Sequence, residues 1–272
     1  MNNLTLRFIT AIIGIIIVLS AILYNETTCL LLFAFISTMS LIEFYRLSKN
    51  NNIHPQIPMG VLTGLLIFLP LLLGSTISTV PNLLPLIIIL PYFVFIRELY
   101  TKSEHPFTNI GFTLLGVIYI SVPLFLFYLI AFHGPDESYR PQNILGMLYL
   151  LWASDTGAYT FGRIWGKHKL FERISPKKTW EGFVGGIVFS IIAAFIIAHF
   201  YTNFTLVQWL IIAGIIFITG VLGDLVESMF KRSLAIKDSG SLLPGHGGFL
   251  DRFDGLFIAA PFVFFYVTMF CN

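Results

Sequence analysis

The sequence is short of charge. Only 11% of its 272 residues are Asp, Glu, Lys or Arg, against about a quarter in an ordinary soluble domain. With 56% of its residues hydrophobic, it lacks the polar material to clothe a surface facing water. That excludes an ordinary soluble fold, whereas a bilayer removes the need for such a surface. Cysteine is scarce too. Cys29 and Cys271 fit neither a disulfide framework nor a metal-ligand spacing, and read as small apolar residues near helix ends. No internal repeat, low-complexity tail or domain-sized polar stretch is visible. The net charge of +2 names no partner by itself, and no nucleic acid is expected as one.

What the sequence has in quantity is long apolar runs. A span needs roughly 20 apolar residues to cross a hydrocarbon core of about 30 Å. Nine candidates are found: 4–24, 28–47, 58–73, 83–99, 107–132, 143–162, 182–201, 206–230 and 249–270. The first could pass for a secretory leader, but no small-residue cleavage site follows it, so it is read as a span. Pro81, Pro85 and Pro91 predict a broken or kinked helix in the fourth. The expected fold is an all-α, polytopic membrane protein of about nine transmembrane helices. Residues 1–132 form an N-terminal region of about five spans. Residues 143–272 form a C-terminal catalytic region of about four, with polar loops at 163–181 and 231–248.

Positive charge sets the orientation. Fifteen of the sixteen Lys and Arg residues fall in alternate connections on one side, and Arg140 stands alone on the other. This asymmetry predicts a cytoplasmic N-terminus and an outer C-terminus. Both long polar loops then lie on the cytoplasmic side.

Ionisable groups within spans are costly unless they face the bundle interior with partners. Asp155, Asp224 and Glu227 lie within predicted spans, and Asp251 and Asp254 open the last one. All fall at one depth, just beneath the cytoplasmic interface. Asp224, Glu227 and Ser228 share one helix face through their i, i+3, i+4 spacing. Several carboxylates at one depth suit a divalent cation such as magnesium, which takes oxygen ligands. Buried ion pairs between helices are the alternative. The run Pro244-Gly245-His246-Gly247-Gly248 leads into the span carrying Asp251. Glycines let backbone approach a ligand closely, and a helix start offers free N–H groups to an anion. Lys231, Arg232, Lys237, His246 and Arg252 flank it, so a phosphate-rich ligand fits. His246 either donates to a phosphate or braces the glycine loop.

The stretch from Ser228-Met229-Phe230-Lys231-Arg232 through Lys237-Asp238 to Pro244-Gly245-His246-Gly247-Gly248-Phe249-Leu250-Asp251-Arg252-Phe253-Asp254 resembles the signature of the phosphatidate cytidylyltransferase (CDP-diacylglycerol synthase) family. Asp155-Thr156-Gly157-Ala158-Tyr159 and Ser175-Pro176-Lys177-Lys178-Thr179-Trp180-Glu181-Gly182 resemble further family segments. The resemblance implies transfer of a cytidylyl group from CTP to phosphatidate, giving CDP-diacylglycerol and diphosphate for phospholipid synthesis. It implies magnesium, with a monovalent cation such as potassium beside it in members with a paired metal centre. It implies a homodimer, and a bacterial inner membrane suits a chain of this type. By position, Asp224 and Asp251 are the metal ligands. Lys231, Arg232, Lys237 and Arg252 join them as catalytic residues. Ser228, His246, Gly247, Gly248, Lys177, Lys178, Asp155 and Asp254 contact substrate. For Lys177, Lys178 and Trp180, an interfacial anchor is the competing role. A secondary transporter is the rival reading from another class, since it too carries intramembrane acids and broken helices.

Overall fold

The structure, a computed structural model, describes residues 3–49, 53–72, 80–236, 239–240 and 247–271. Lys237 and His246 lie outside the described residues. Within them the chain is helical apart from one two-stranded hairpin. The helices are α1 (Asn3–Tyr24), α2 (Glu26–Ser48), α3 (Ile57–Leu72), α4 (Val80–Leu99), α5 (Pro106–Gly116), α6 (Val122–Leu129), α7 (Pro141–Trp165), α8 (Trp180–Phe200), α9 (Leu206–Ser233) and α10 (Leu250–Phe270). A π-helical turn, Val117–Ser121, joins α5 to α6. Pro123 follows it and has no N–H to give the preceding turn, a setting in which an i→i+5 bulge relieves the ladder. The fourth predicted span is one helix, continuous from Val80 through Pro85 and Pro91 to Leu99.

Among the described residues, five helical stretches are long and apolar enough to cross a membrane: Glu26–Ser48, Pro106–Phe132, Trp180–Phe200, Leu206–Ser233 and Leu250–Phe270. Ile9–Tyr24 and Ile57–Leu72 are apolar but shorter. The all-α, multi-helix expectation therefore holds. The hairpin is an addition to it. Strands β1 (Lys169–Phe171) and β2 (Ser175–Thr179) pair antiparallel inside the connection read as a polar loop.

The chain forms two compact units, Met1–Tyr128 with Leu234–Phe253 and Leu129–Ser233 with Asp254–Asn272. In the first, α2 supplies a core of Phe33, Leu41, Phe44 and Tyr45. The Tyr45 hydroxyl donates to the Thr113 carbonyl at 2.7 Å, and Gly60 and Gly116 leave room for its ring. A buried polar network closes the far end of α4. The Glu98 carboxylate accepts from the side-chain amides of Gln56 and, at 3.0 Å, of Asn109. Asn109 in turn accepts the His54 N–H at 2.8 Å.

In the second unit, α7 and α8 approach through small residues, as helices in lipid do where backbones must come close. A Cβ on Gly157 would meet the Gly185 carbonyl at 2.5 Å, and one on Gly182 the Ala158 carbonyl at 2.7 Å. Helices α9 and α10 meet the same way: a Cβ on Gly223 would lie 2.6 Å from the Asp254 carbonyl. Trp209 is fully buried, and its indole N–H donates to the Tyr201 carbonyl at 3.1 Å.

Candidate active site

The close approach at Gly223 decides what its neighbours can do. Asp224 follows it on α9, and Asp254 is the α10 residue whose carbonyl it faces. Asp224, Glu227 and Asp254 each offer a carboxylate oxygen within 4.8 Å of the others. Glu227 is 1% exposed. Asp155 of α7 acts electrostatically on both Asp224 and Asp254. Four acids from three helices thus share one part of the second unit.

Basic and hydroxyl groups answer them. The Lys178 ammonium lies 2.6 Å from Asp224 Oδ2 and donates to the Val221 carbonyl at 3.2 Å. The Lys231 ammonium lies 2.6 Å from Glu227 Oε2, one turn along α9. Ser228 donates from Oγ to Asp224 Oδ1 at 3.3 Å. The hairpin delivers Lys178. Its second strand ends at Thr179, which caps α8 by accepting the Gly182 N–H at 3.2 Å. Glu181 ties down the hairpin base, accepting the Lys167 N–H at 3.1 Å and bonding the His168 ring at 2.6 Å. Lys177, on the same strand, is exposed, as is Arg232 in the last turn of α9.

A second cluster lies in the first unit. Asp251 Oδ2 accepts the Ser239 N–H at 3.2 Å, the Ser239 hydroxyl at 2.8 Å and the Gly248 N–H at 3.2 Å. Gly247 has φ +82°, a left-handed conformation that favours glycine. Glu43 of α2 accepts the Leu250 N–H at 2.9 Å, and its carboxylate fills the space that a Cβ on Gly240 or Gly248 would take. Arg252, in the first turn of α10, is exposed.

The structure therefore gathers Asp155, Lys178, Asp224, Ser228, Lys231 and Asp254 in one unit, and Gly247, Gly248 and Asp251 in the other. Glu43 is the residue that sequence reading missed. It meets the rule that singled out Asp155 and Asp224, being an acid inside a predicted span. It lacked only a neighbour in sequence, since its partner is 207 positions away.

The carboxylate set fits a hard divalent cation. All three close donors are oxygens on two packed helices, the usual ligand type for magnesium. Together with the apolar helices, this defines an integral membrane protein with a carboxylate centre able to hold a metal among basic side chains. The sequence pattern of the family described as "Cytidylyltransferase family" matches residues 5–270. Several proteins named phosphatidate cytidylyltransferase are similar along nearly the whole chain. That of Staphylococcus haemolyticus is 38% identical over 260 residues, covering 94% of this chain and 95% of the relative. Those of Staphylococcus epidermidis strain RP62A and Staphylococcus aureus strain COL are 37% and 35% identical, with the same coverage. The chain belongs to the cytidylyltransferase family.

Proposed function

We propose that this chain transfers the cytidylyl group of CTP to phosphatidate, producing CDP-diacylglycerol and diphosphate for phospholipid synthesis. The observation that carries this reading is the similarity, over 94% of the chain, to phosphatidate cytidylyltransferases. A phosphate oxygen of phosphatidate forms a bond to the α-phosphorus of CTP, and the bond from that phosphorus to the β-phosphate bridging oxygen breaks in line. The bridging electron pair leaves with diphosphate.

Both reactants are anions, so neutralising charge is the main catalytic task. Lys178 and Lys231 each stand beside a carboxylate, which holds their ammonium groups in place to receive phosphate oxygens. Ser228 offers a hydroxyl donor next to Asp224. In this reading Arg232, Lys237, Arg252 and Lys177 add further positive charge for the phosphates. In this reading His246, Gly247 and Gly248 present donors to a phosphate, and Asp155 and Asp254 orient the lysines. No enzyme nucleophile is required, because the lipid phosphate is itself the nucleophile.

Asp224, Glu227 and Asp254 would hold magnesium in the second unit, and the family motif adds Asp251 to Asp224 as a ligand. When bound, magnesium neutralises phosphate oxygens and favours diphosphate departure. A monovalent cation such as potassium accompanies it in this reading. The protein works as a homodimer in a bacterial inner membrane, with nine spans, the N-terminus in the cytoplasm and the C-terminus outside. Residues 1–132 and 143–272 act as its N-terminal and catalytic regions. A cytoplasmic site suits cytosolic CTP and leaves the acyl chains in hydrocarbon.

The test is purified protein in detergent with phosphatidate, magnesium and radiolabelled CTP. Label entering the lipid phase, abolished by EDTA, is the expected result. No label from CTP, with the protein folded and EDTA without effect, overturns the reading.

A further inference from the structure

Glu43 sits in the apolar helix α2 and is 3% exposed. A carboxylate at such a position is costly unless partnered. Its Oε2 accepts the N–H of Leu250, the first residue of α10. That N–H is one of the orphan donors of a helix start, and the positive end of the helix dipole favours a carboxylate there. Its other oxygen is buried with no hydrogen-bond partner among the described residues. A Cβ at Gly240 or at Gly248 would fall on that oxygen. Glycine at these two positions is thus what lets the motif's backbone close around Glu43.

Asp251 holds the same turn from within, through the Gly248 N–H at 3.2 Å. It also repels Glu43 electrostatically. A contact selected for stability alone has no reason to set a buried acid beside a second, partly buried one. An apolar or amide side chain at 43 would avoid the repulsion.

We infer that Glu43 is a positioning residue for the reaction: it fixes the Gly247–Gly248 turn and the first turn of α10, and through them the Asp251 carboxylate. The N-terminal spans thereby supply a group on which the catalytic motif depends. The inference rests on the role given to Asp251 in the proposed function.

The experiment uses full-length protein in detergent: wild type, Glu43→Ala, Glu43→Gln, Gly240→Ala and the Glu43→Ala/Gly240→Ala double variant. Amide exchange over residues 247–251 is read by mass spectrometry. Rates are measured against magnesium, CTP and phosphatidate. Loss of a group that orients a metal ligand typically costs about 10- to 100-fold in metal affinity or activity. Glu43→Ala should therefore raise the half-saturating magnesium concentration by at least about 10-fold, with faster exchange and a phosphatidate KM within about 2-fold of wild type. Glu43→Gln, which keeps length and an acceptor oxygen, should restore much of the exchange protection. Gly240→Ala should resemble Glu43→Ala, and the double variant should be no worse than either single one, because the atoms nearest the added methyl all belong to Glu43 and truncating it makes room. Folded Glu43→Ala with wild-type exchange and magnesium dependence overturns the inference, as do additive losses. Failure of the wild type to make CDP-lipid overturns the proposed function instead, and the coupling in amide exchange still decides Glu43's hold on the turn.

Discussion

Lys178 reaches from the hairpin strand β2 to place its ammonium 2.6 Å from the Asp224 carboxylate on α9. The side chains are 21% and 43% exposed, so water screens the pair and its share of stability is small, about 1 kcal/mol or less. Its value lies in charge placement beside the acid cluster. Lys178→Met should lower CDP-lipid formation by about 100-fold, the scale on which a transition-state donor acts, with thermal unfolding nearly unchanged. Lys178→Arg should recover part of the rate. A radiolabelled-CTP assay beside a thermal melt in detergent checks both.

Metal dependence separates the two assignments of the carboxylates. Asp224→Asn should abolish magnesium-stimulated turnover under either. Asp254→Asn removes a donor from the cluster in the second unit, and Asp251→Asn removes the ligand implied by the motif. Each should raise the half-saturating magnesium concentration by about 10-fold or more if it ligates. Magnesium titration of the three variants reads out the ligand set directly.

Gly223 is where α9 and α10 touch backbone to backbone. A Cβ there would lie 2.6 Å from the Asp254 carbonyl and 2.9 Å from the Gly255 Cα. Backbone cannot step aside as a side chain can. Gly223→Ala should cost about 1–3 kcal/mol through overpacking and should depress activity by displacing Asp254. Gly214, with nothing within 4 Å of its Cβ position, should accept alanine without loss. Thermal unfolding and turnover of the two variants make the comparison.

Glu98 is a structural acid. It is 4% exposed, and Gln56 and Asn109 both donate to it. Glu98→Ala leaves one N–H of each amide unpaired, while Gln56 keeps the Val94 carbonyl and Asn109 the Ser103 hydroxyl, a penalty of about 1–3 kcal/mol per lost bond. The expected result is a lower melting temperature in detergent with an unchanged half-saturating magnesium concentration.

Asp136, in the connection between α6 and α7, gives a pH prediction. Hydrogen bonds from the Arg140 side chain at 2.6 Å, and then from Ser138, lower its pKa from 3.8 to about 2. The depressed value keeps the carboxylate ionised and the pair formed until pH falls through about 2; what the pair adds to stability is full above 3.8 and is lost as pH falls through about 2. NMR of the Asp136 carboxyl carbon should titrate in that lower range. Arg140→Gln should return the midpoint upward, toward 3.8.

Much of this molecule is legible along the chain. Apolar run length alone picks out Glu26–Ser48, Trp180–Phe200, Leu206–Ser233 and Leu250–Phe270 as helices that can cross a bilayer. The spacing of Asp224, Glu227 and Ser228 puts them on one helix face whatever the tertiary fold. The glycine run before Asp251 signals close backbone approach, though sequence reading assigned that approach to a phosphate. In the structure Gly248 and Gly240 close upon Glu43, and Gly247 upon Asp251. The hairpin was illegible because β1 is only three residues long, too short for a period-2 pattern to register. Its strands pair because Glu181 and Thr179 anchor its base.

The sequence by itself determined that this chain lives in a membrane, that acids lie inside its helices, and that its motif belongs to cytidylyltransferases. The first two follow from composition and period, properties of the chain read in one dimension; the third is a resemblance carried by the run of residues from Ser228 to Asp254. Tertiary structure alone decided which acid meets which donor. Lys178 with Asp224 spans 46 positions, and Glu43 with Leu250 spans 207. Such pairs are set by helix packing and by where glycines let two backbones approach, and for Glu43 also by the need of a buried charge to find a donor.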